Sequence, residues 1–298
     1  MPAISVTHFS DPGCPWAYSA SPQLAVLEWR YGDQLSWRLV TIGLAEDPER
    51  YVQNGYTPTR MAIGNMYFRR YGMPFLPEPR ARVAATGRAC RAIVATRLLD
   101  PPREKEVLRA LQLGWFTTTL LLDEDDDIER ALEPVSGLDI KAVVAAIDDE
   151  ATVAAYEADR QETRSAAGGP TEFQGKARQT DGPVRYSAPT LVFESDDGRR
   201  LEAGGFQKIE AYDVLIANLD PRLERRPPPE EPLEALRAFP GGLTTQEVAA
   251  IMAQNNVEPD RLAAESALIE LAGAGELRRS PLGTDALWQI ALVPAVRG

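Results

Sequence analysis

A β-prone run at the start of the chain leads directly into a cysteine-proline junction. Residues 3–10 alternate in the manner of a half-buried strand, and DPGCPWA follows at 11–17. Pro15 suits the first turn of a helix, because its missing N–H costs no hydrogen bond there. A second strand is predicted over 35–42. The helix between the two strands is predicted over about 14–29. A strand, a helix of this length and a second strand imply a parallel pair with a right-handed crossover.

The chain then becomes helical for about a hundred residues, judged by apolar residues spaced three and four apart. We predict no strand in this block, which spans about 57–165. The helical segments are 82–99, 103–121, 127–135 and 139–164. A polar, glycine-bearing loop follows at 165–187, and loops of this length are usually functional or mobile.

The elements after the loop complete a recognisable order. A β-branched run at 188–195, a turn at 196–198 and an amphipathic helix at 208–219 follow one another. Strand, helix, strand, helical block, strand, turn, strand and helix is the layout of a thioredoxin fold with a large all-helical insertion. We therefore predict an α/β protein. Pro22 predicts a kink in the first helix, and Pro189 lies where such a fold places a cis-proline.

A segment rich in proline and charge predicts a boundary. Residues 223–232 have linker composition and separate a domain at 1–222 from a second at 233–298. In the second domain, Thr244 and Glu247 have the spacing of a capping box. Three predicted helices followed by two short strands resemble a small α+β winged helix.

The charge balance argues against two classes of partner. The net charge of −12 repels phosphate backbones and anionic lipid. The helix of the second domain that would enter a DNA groove carries Asp260, Glu265 and Glu270 against Arg261 alone. We expect no nucleic-acid partner and no membrane association. Because no basic region precedes a long apolar run at the N-terminus, we expect a cytoplasmic protein.

Cysteine and histidine are scarce, which limits the available chemistry. Cys14, Cys90 and His8 are the only such residues, so neither a disulfide scaffold nor a Cys/His metal cluster is possible. We predict no metal. His8 lies in the first strand, where we expect a hydrogen-bonded core histidine rather than a catalytic base. Cys90 lies on an apolar helical face and is either a buried structural cysteine or a resolving thiol.

Two motifs together carry a family resemblance. The stretch Asp11-x-x-Cys14-Pro15-Trp16, joined to Ala188-Pro189-Thr190, resembles DsbA-like oxidoreductases of the FrnE branch. The resemblance covers about residues 3–220 and implies thiol–disulfide chemistry. It places Cys14, Pro15, Trp16, position 17 and Pro189 in the catalytic site, and it implies that Asp11, Tyr18, Ala188 and Thr190 contact substrate.

The chain departs from that family at Ala17, where the FrnE pattern has a second cysteine. Cys14 therefore cannot close a Cys-x-x-Cys disulfide. We expect a monothiol mechanism without a bound cofactor, in which Cys14 attacks and an external thiol of glutathione or mycothiol type resolves the adduct. The substrate is then a small thiol or a protein disulfide.

The position of Cys14 predicts its reactivity. A thiol at a helix N-terminus faces free amides and the positive end of the dipole, so we expect an exposed thiol with a lowered pKa. Trp16 and Tyr18 are predicted to form an apolar wall beside it. Lys176, Arg178 and Arg185 of the long loop are candidate cations for a ligand carboxylate, or solvated loop residues.

Two other functions are compatible with the sequence. Kappa-class glutathione transferases and 2-hydroxychromene-2-carboxylate isomerases share the inserted thioredoxin fold, and Ala17-Tyr18 after Pro-Trp is similar to that branch. Such an enzyme activates bound glutathione instead of its own thiol. The remaining alternative is a non-catalytic regulatory or interaction protein, and a homodimer is possible in each case.

Overall fold

A four-stranded mixed sheet is the centre of the N-terminal part of the protein. The computed structural model describes residues 4–179 and 182–291. The sheet order is β2-β1-β5-β6, with β1 parallel to β2 and the other pairs antiparallel. These strands are β1 (Ile4–Ser10), β2 (Leu35–Thr41), β5 (Thr190–Ser195) and β6 (Arg200–Gly204), and a two-stranded ladder joins β3 (Ala177–Arg178) to β4 (Arg185–Tyr186). This topology agrees with the predicted order.

The helix after β1 is broken near its start. It consists of α1 (Pro15–Ser19) and α2 (Ser21–Tyr31), which meet at Ala20. Pro22 lacks the N–H that a continuous helix would donate four residues back, so an interruption near it is expected. The interruption leaves only five helical residues directly behind Cys14.

The helical insertion lies between β2 and the long loop. Residues 42–176 are described without a gap and contain no strand. Their helices are α3 (Glu49–Gln53), α4 (Pro58–Phe68), α5 (Gly87–Leu99), α6 (Glu104–Thr117), α7 (Asp125–Leu132), α8 (Ile140–Ala145), α9 (Glu150–Thr163) and α10 (Pro170–Phe173). Phe75, Ile93, Leu111 and Phe116 are among the residues of its apolar core.

The start of α5 differs from the sequence-based expectation. The predicted helix begins at residue 82, but α5 begins at Gly87. Residues 82–86 instead make contacts outside the helix: Arg82 donates to Asp123, and Thr86 donates to Asp11. These long-range partners outweigh the local helical spacing of the segment.

The C-terminal elements follow α11 (Ile209–Leu219). They are α12 (Pro232–Ala238), β7 (Leu243–Thr244), α13 (Thr245–Met252), α14 (Arg261–Gly273), β8 (Leu277–Leu282) and β9 (Asp285–Ile290), and the sheet order is β7-β9-β8. Their core is shared with α2, because Val26 and Trp29 pack with Leu236, Val248 and Trp288. Residues 292–298 of the predicted second domain lie outside the described part.

The segment predicted as a linker is tied to α2. The Arg226 guanidinium lies 3.4 Å from the centre of the Trp29 ring, and Trp29 Nε1 donates to Pro227 O at 2.8 Å. Arg226 N also donates to Arg30 O at 2.8 Å. These contacts bring the C-terminal elements against the sheet domain. Within the described residues, no helix has both the length and the apolar character needed to cross a bilayer.

Candidate functional site

Cys14 lies where the first strand ends and α1 begins. Its N–H donates to Asp11 O at 3.2 Å, and its carbonyl accepts the first helical bond from Tyr18 N at 3.0 Å. The Cys14 thiol donates to Ala188 O with an Sγ–O distance of 3.2 Å. The Ala188–Pro189 peptide bond is cis. The helix start and the proline bend, which are far apart in sequence, therefore meet at the sulfur.

The Cys14 thiol is buried, and its pKa is raised. Cys14 is 6% exposed. Burial is the main cause that raises the pKa of Cys14 from 9.0 to about 12; the amides of Ala17 and Trp16 and the charge of Arg185 act in the lowering direction. The expectation of an exposed thiol with a lowered pKa is therefore wrong for this conformation. The loss of aqueous solvation outweighs the dipole of the short helix α1.

The long loop supplies part of the cover over Cys14. Ala166, Val184 and Tyr186 belong to the same apolar cluster as Cys14. Ala166 N donates to Val184 O at 3.1 Å, and the Tyr186 ring stacks on Phe9 with centroids 4.4 Å apart. Residues 180 and 181 of the predicted loop lie outside the described part. Because Cys14 is 6% exposed, we expect this cover to move before a disulfide can reach the sulfur.

Asp11 organises the loop before the cysteine. Its carboxyl accepts from Gly13 N at 2.8 Å, Leu44 N at 2.9 Å, Thr86 Oγ1 at 2.9 Å and Cys90 Sγ at 3.4 Å. Asp11 has no exposed surface, and burial raises its pKa although these four donors oppose the shift. The prediction that Asp11 contacts substrate is wrong in this conformation, because internal donors surround the carboxyl.

Gly13 allows α5 to approach this loop closely. A Cβ atom at Gly13 would lie 2.8 Å from Thr86 Cγ2. The same threonine donates its hydroxyl hydrogen to Asp11. A small residue directly before Cys14 is therefore required by packing.

Cys90 has the environment of a structural cysteine. It is fully buried, and Cys14 and Cys90 are both free. Burial and the nearby Asp11 raise the pKa of Cys90 well above its ordinary value. This environment favours a structural role for Cys90 over a role as the resolving thiol.

Two other predicted substrate contacts are core residues. Tyr18 is 1% exposed; its hydroxyl donates to Pro74 O at 3.0 Å, and its ring stacks on Phe116. Thr190 is fully buried and donates to Ser187 O at 2.7 Å. These two predictions are corrected, because both side chains point into the protein. Of the four residues predicted to contact substrate, Ala188 is the one that hydrogen-bonds to the Cys14 sulfur, through its carbonyl oxygen.

Trp16 forms a surface beside the site with aromatic partners that the sequence did not indicate. It is 40% exposed, and its ring centroid lies 5.0 Å from Phe68, 5.3 Å from Tyr71 and 6.0 Å from Phe206. We call these four residues the aromatic patch. The predicted apolar wall exists, but Tyr18 does not belong to it. Phe206 follows a Gly-Gly pair and carries no local signal of its position.

Two further residues are electrostatically related to Cys14. Burial raises the pKa of Tyr51, and its proximity to the ionisable groups of Asp11 and Cys14 adds to that shift. Sequence patterns gave no reason to select Tyr51. The charge of Arg185, which is 7% exposed, opposes the burial that raises the pKa of Cys14. Arg178, in contrast, donates to Ala177 O at 3.0 Å on the surface.

Comparison with known proteins agrees with this geometry. A model of the DsbA-like thioredoxin domain matches residues 5–186. Similar solved structures include a proposed protein disulfide isomerase from Nitrosomonas europaea, with TM-score 0.55, 17% identity and coverage of 72% of this chain and 97% of that one. Another is a probable DsbA oxidoreductase from Streptomyces coelicolor, with TM-score 0.53, 16% identity and coverage of 76% and 93%.

A third similar structure is the cytosolic disulfide reductase DsbM from Pseudomonas aeruginosa, with TM-score 0.50, 19% identity and coverage of 72% and 98%. No curated protein matched this chain. The structural likeness at these identities concerns the fold, whereas the matched domain model covers well over half of the sequence. The chain therefore belongs to the DsbA-like thioredoxin domain family.

Proposed function

We propose that the protein is a thiol–disulfide oxidoreductase with a monothiol mechanism and Cys14 as its nucleophile. The observation that carries the proposal is the Cys14 sulfur at the start of α1, 3.2 Å from the carbonyl oxygen of Ala188 at the proline bend. The Ala188 backbone there is available to an extended substrate once the cover moves. The aromatic patch offers an apolar surface beside it.

The proposed reaction has two exchange steps. The Cys14 thiolate attacks one sulfur of a disulfide, the S–S bond breaks, and the other half leaves as a thiolate. A low-molecular-weight thiol then attacks the Cys14 mixed disulfide and leaves as a new disulfide with the bound half, which regenerates Cys14. Ala17 provides no internal thiol for this second step. The DsbM neighbour has also been solved with GSH. We place this chemistry in the cytoplasm, where such thiols are abundant.

The raised pKa of Cys14 favours a second candidate, in which the enzyme activates a bound thiol. A thiol that stays protonated is a hydrogen-bond donor, and Cys14 already donates to Ala188 O. In that case Cys14 would donate to the thiolate of a bound external thiol, which would react with an electrophile. The external thiol releases its proton to solvent, its sulfur forms a bond to the electrophile, and the bond from the electrophile to its leaving group breaks.

Serine and alanine at position 14 separate these candidates. The assay follows glutathione-dependent reduction of 2-hydroxyethyl disulfide and, separately, conjugation of glutathione to 1-chloro-2,4-dinitrobenzene. The proposal expects Cys14→Ser and Cys14→Ala to reduce disulfide exchange equally to the uncatalysed rate, because neither side chain forms a mixed disulfide. The second candidate expects conjugation that Cys14→Ser retains and Cys14→Ala loses, because serine still donates a hydrogen bond.

Cys90→Ala is the control for the other thiol. Because Cys90 is fully buried, the proposal expects this variant to keep disulfide exchange within about twofold of the wild-type rate. Mass spectrometry of the protein mixed with excess oxidised glutathione should find one adduct, on Cys14. Disulfide exchange that survives in Cys14→Ala would reject the proposal.

A further inference from the structure

A cleft that does not contain Cys14 lies on the α2 face of the sheet, between the sheet, the helical insertion and the C-terminal elements. Its volume is about 490 Å³, which is within the range of small-molecule sites. The strands contribute His8, Trp37 and Leu39, and His8 and Leu39 are paired across β1 and β2. Helix α6 and the turn before β7 close it on the other sides.

The surface of this cleft is mostly apolar, and its charged side chains are paired. Trp37, Leu108 and Phe239 are representative of the apolar lining. The charged residues of the lining have opposite partners: Arg38 with Glu162, Glu28 with Lys105, Glu104 with Arg97, Glu106 with Arg103, and Arg109 with Glu247. None of these lining charges is left without an opposite partner that a charged ligand would have to supply. The cleft therefore favours an uncharged ligand.

His8 lines this cleft and has a ring nitrogen without a partner. It is 9% exposed, and its Nε2 atom is buried without a hydrogen bond. The expectation of a hydrogen-bonded strand histidine is therefore wrong. Burial, with a smaller effect from Lys105, lowers the pKa of His8 to about 4, so the ring is neutral at physiological pH. A buried polar atom without a partner costs free energy that a ligand or a water molecule can recover.

From the volume, the apolar walls and the unpartnered imidazole, we infer that this cleft binds an uncharged, planar small molecule that hydrogen-bonds to His8. A neutral imidazole offers one donor and one acceptor, so a carbonyl, a ring nitrogen or a hydroxyl group on the ligand fits it. Trp37 and Phe239 are aromatic residues of the lining, and aromatic rings pack well against flat molecules. This site does not include Cys14, Ala188 or the aromatic patch.

Because the chain has one histidine, His8 can be observed directly. The probe is 6-propionyl-2-(dimethylamino)naphthalene, an uncharged planar ketone with environment-sensitive fluorescence. It is titrated into full-length protein prepared without a histidine tag. We expect saturable one-to-one binding with a blue-shifted emission. The imidazole resonance of His8 should move in NMR spectra with the same midpoint, because the ring contacts the bound ketone.

A pair of glycine variants tests the location. No neighbouring atom lies within 4 Å of a Cβ built at Gly241, which lines the cleft, or at Gly273, which ends α14 away from it. A Cβ atom is therefore accommodated at both positions, which makes them a matched pair for a larger side chain. We expect Gly241→Trp to weaken probe binding at least tenfold and Gly273→Trp to leave it unchanged. His8→Phe should weaken binding by about threefold or more, the effect of losing one hydrogen bond.

Several outcomes would overturn the inference. Absence of saturable binding to the wild-type protein is one, and binding that leaves the His8 resonance unmoved is another. Equal binding by the two tryptophan variants would place the probe elsewhere. Probe binding that Cys14→Ser abolishes would assign it to the site around the cysteine instead.

Discussion

At Cys14 two electrostatic effects oppose each other, and burial is the larger. The residue stands where backbone amides favour a thiolate, but it is 6% exposed and its pKa is raised to about 12. The protonated thiol is the stable form of the closed site. Reactivity therefore depends on an opening that restores solvent or brings a partner charge to the sulfur.

Alkylation against pH tests this description of Cys14. In the Cys90→Ala background, we expect iodoacetamide to react with the native protein more slowly than with a model thiol at pH 8, and the rate should still rise above pH 10. The same protein unfolded in urea is the control, with an ordinary titration near 9.0. A native rate that levels off below pH 8 would contradict the raised pKa.

The same shift makes stability depend on alkaline pH. Because the pKa of folded Cys14 is above its unfolded value, this stabilising contribution is complete below pH 9 and decreases as pH rises toward 12. Comparison with Cys14→Ser in urea unfolding isolates it, since serine does not titrate in this range.

The local features of the site could be predicted from sequence, and its environment could not. Cys14 before Pro15, and Pro189 before a strand, are recognisable because each depends on its immediate neighbours. Phe206, Tyr51 and the burial of the sulfur depend on chain segments far apart in sequence. The helix-terminus argument for Cys14 failed for this reason, since it considered one helix and not the cover that other segments place over it.

At the scale of the element, one carboxylate has two structural roles. Glu247 completes the capping box of α13 with Thr244. It also accepts two hydrogen bonds from Arg109 of α6, at 2.6 and 2.8 Å, and is 1% exposed. The spacing of Thr244 and Glu247 predicted the cap. It contained no information about Arg109, because that partner lies in another part of the chain.

Removal of Arg109 should destabilise the protein strongly. We expect Arg109→Leu to lower the free energy of unfolding by about 3 kcal/mol, because Glu247 is left buried without its charge partner. Urea denaturation at pH 7 measures this. Arg130→Leu is the matched control, since Arg130 is 64% exposed and its bond to Asp127 should contribute less than about 1 kcal/mol.

The two roles of Glu247 can be separated by a second variant. Glu247→Gln keeps a capping side chain and removes the charge. When it is added to Arg109→Leu, the double variant should therefore recover part of the stability lost in Arg109→Leu. Equal losses in Arg109→Leu and Arg130→Leu would show that the buried pair contributes little.

At the scale of the whole molecule, the C-terminal elements complete a core that begins in the sheet domain. Trp29 of α2 lies between the two parts, with Arg226 on its ring and Val248 and Trp288 in the same cluster. The prediction of a sheet, a helical insertion and further elements at the C-terminus described the order of the fold correctly. The shared core was not visible in the sequence, since the periodicity of α2 shows that a face is buried but not which element buries it.

Truncation tests the importance of this shared core. A protein of residues 1–222 exposes the apolar surface of α2, so we expect it to be less stable than the full chain and to self-associate. The full chain should unfold in one cooperative transition, observed equally by tryptophan fluorescence and circular dichroism. A truncated protein that remains monomeric with an unchanged unfolding midpoint would show that the two parts are energetically independent.

The ion pair between Arg109 and Glu247 also links two positions that are far apart in the chain. Loss of either side chain from the intact protein leaves the other charge without its partner, where the helical insertion meets the C-terminal elements. We therefore expect positions 109 and 247 to tolerate substitution together and not singly.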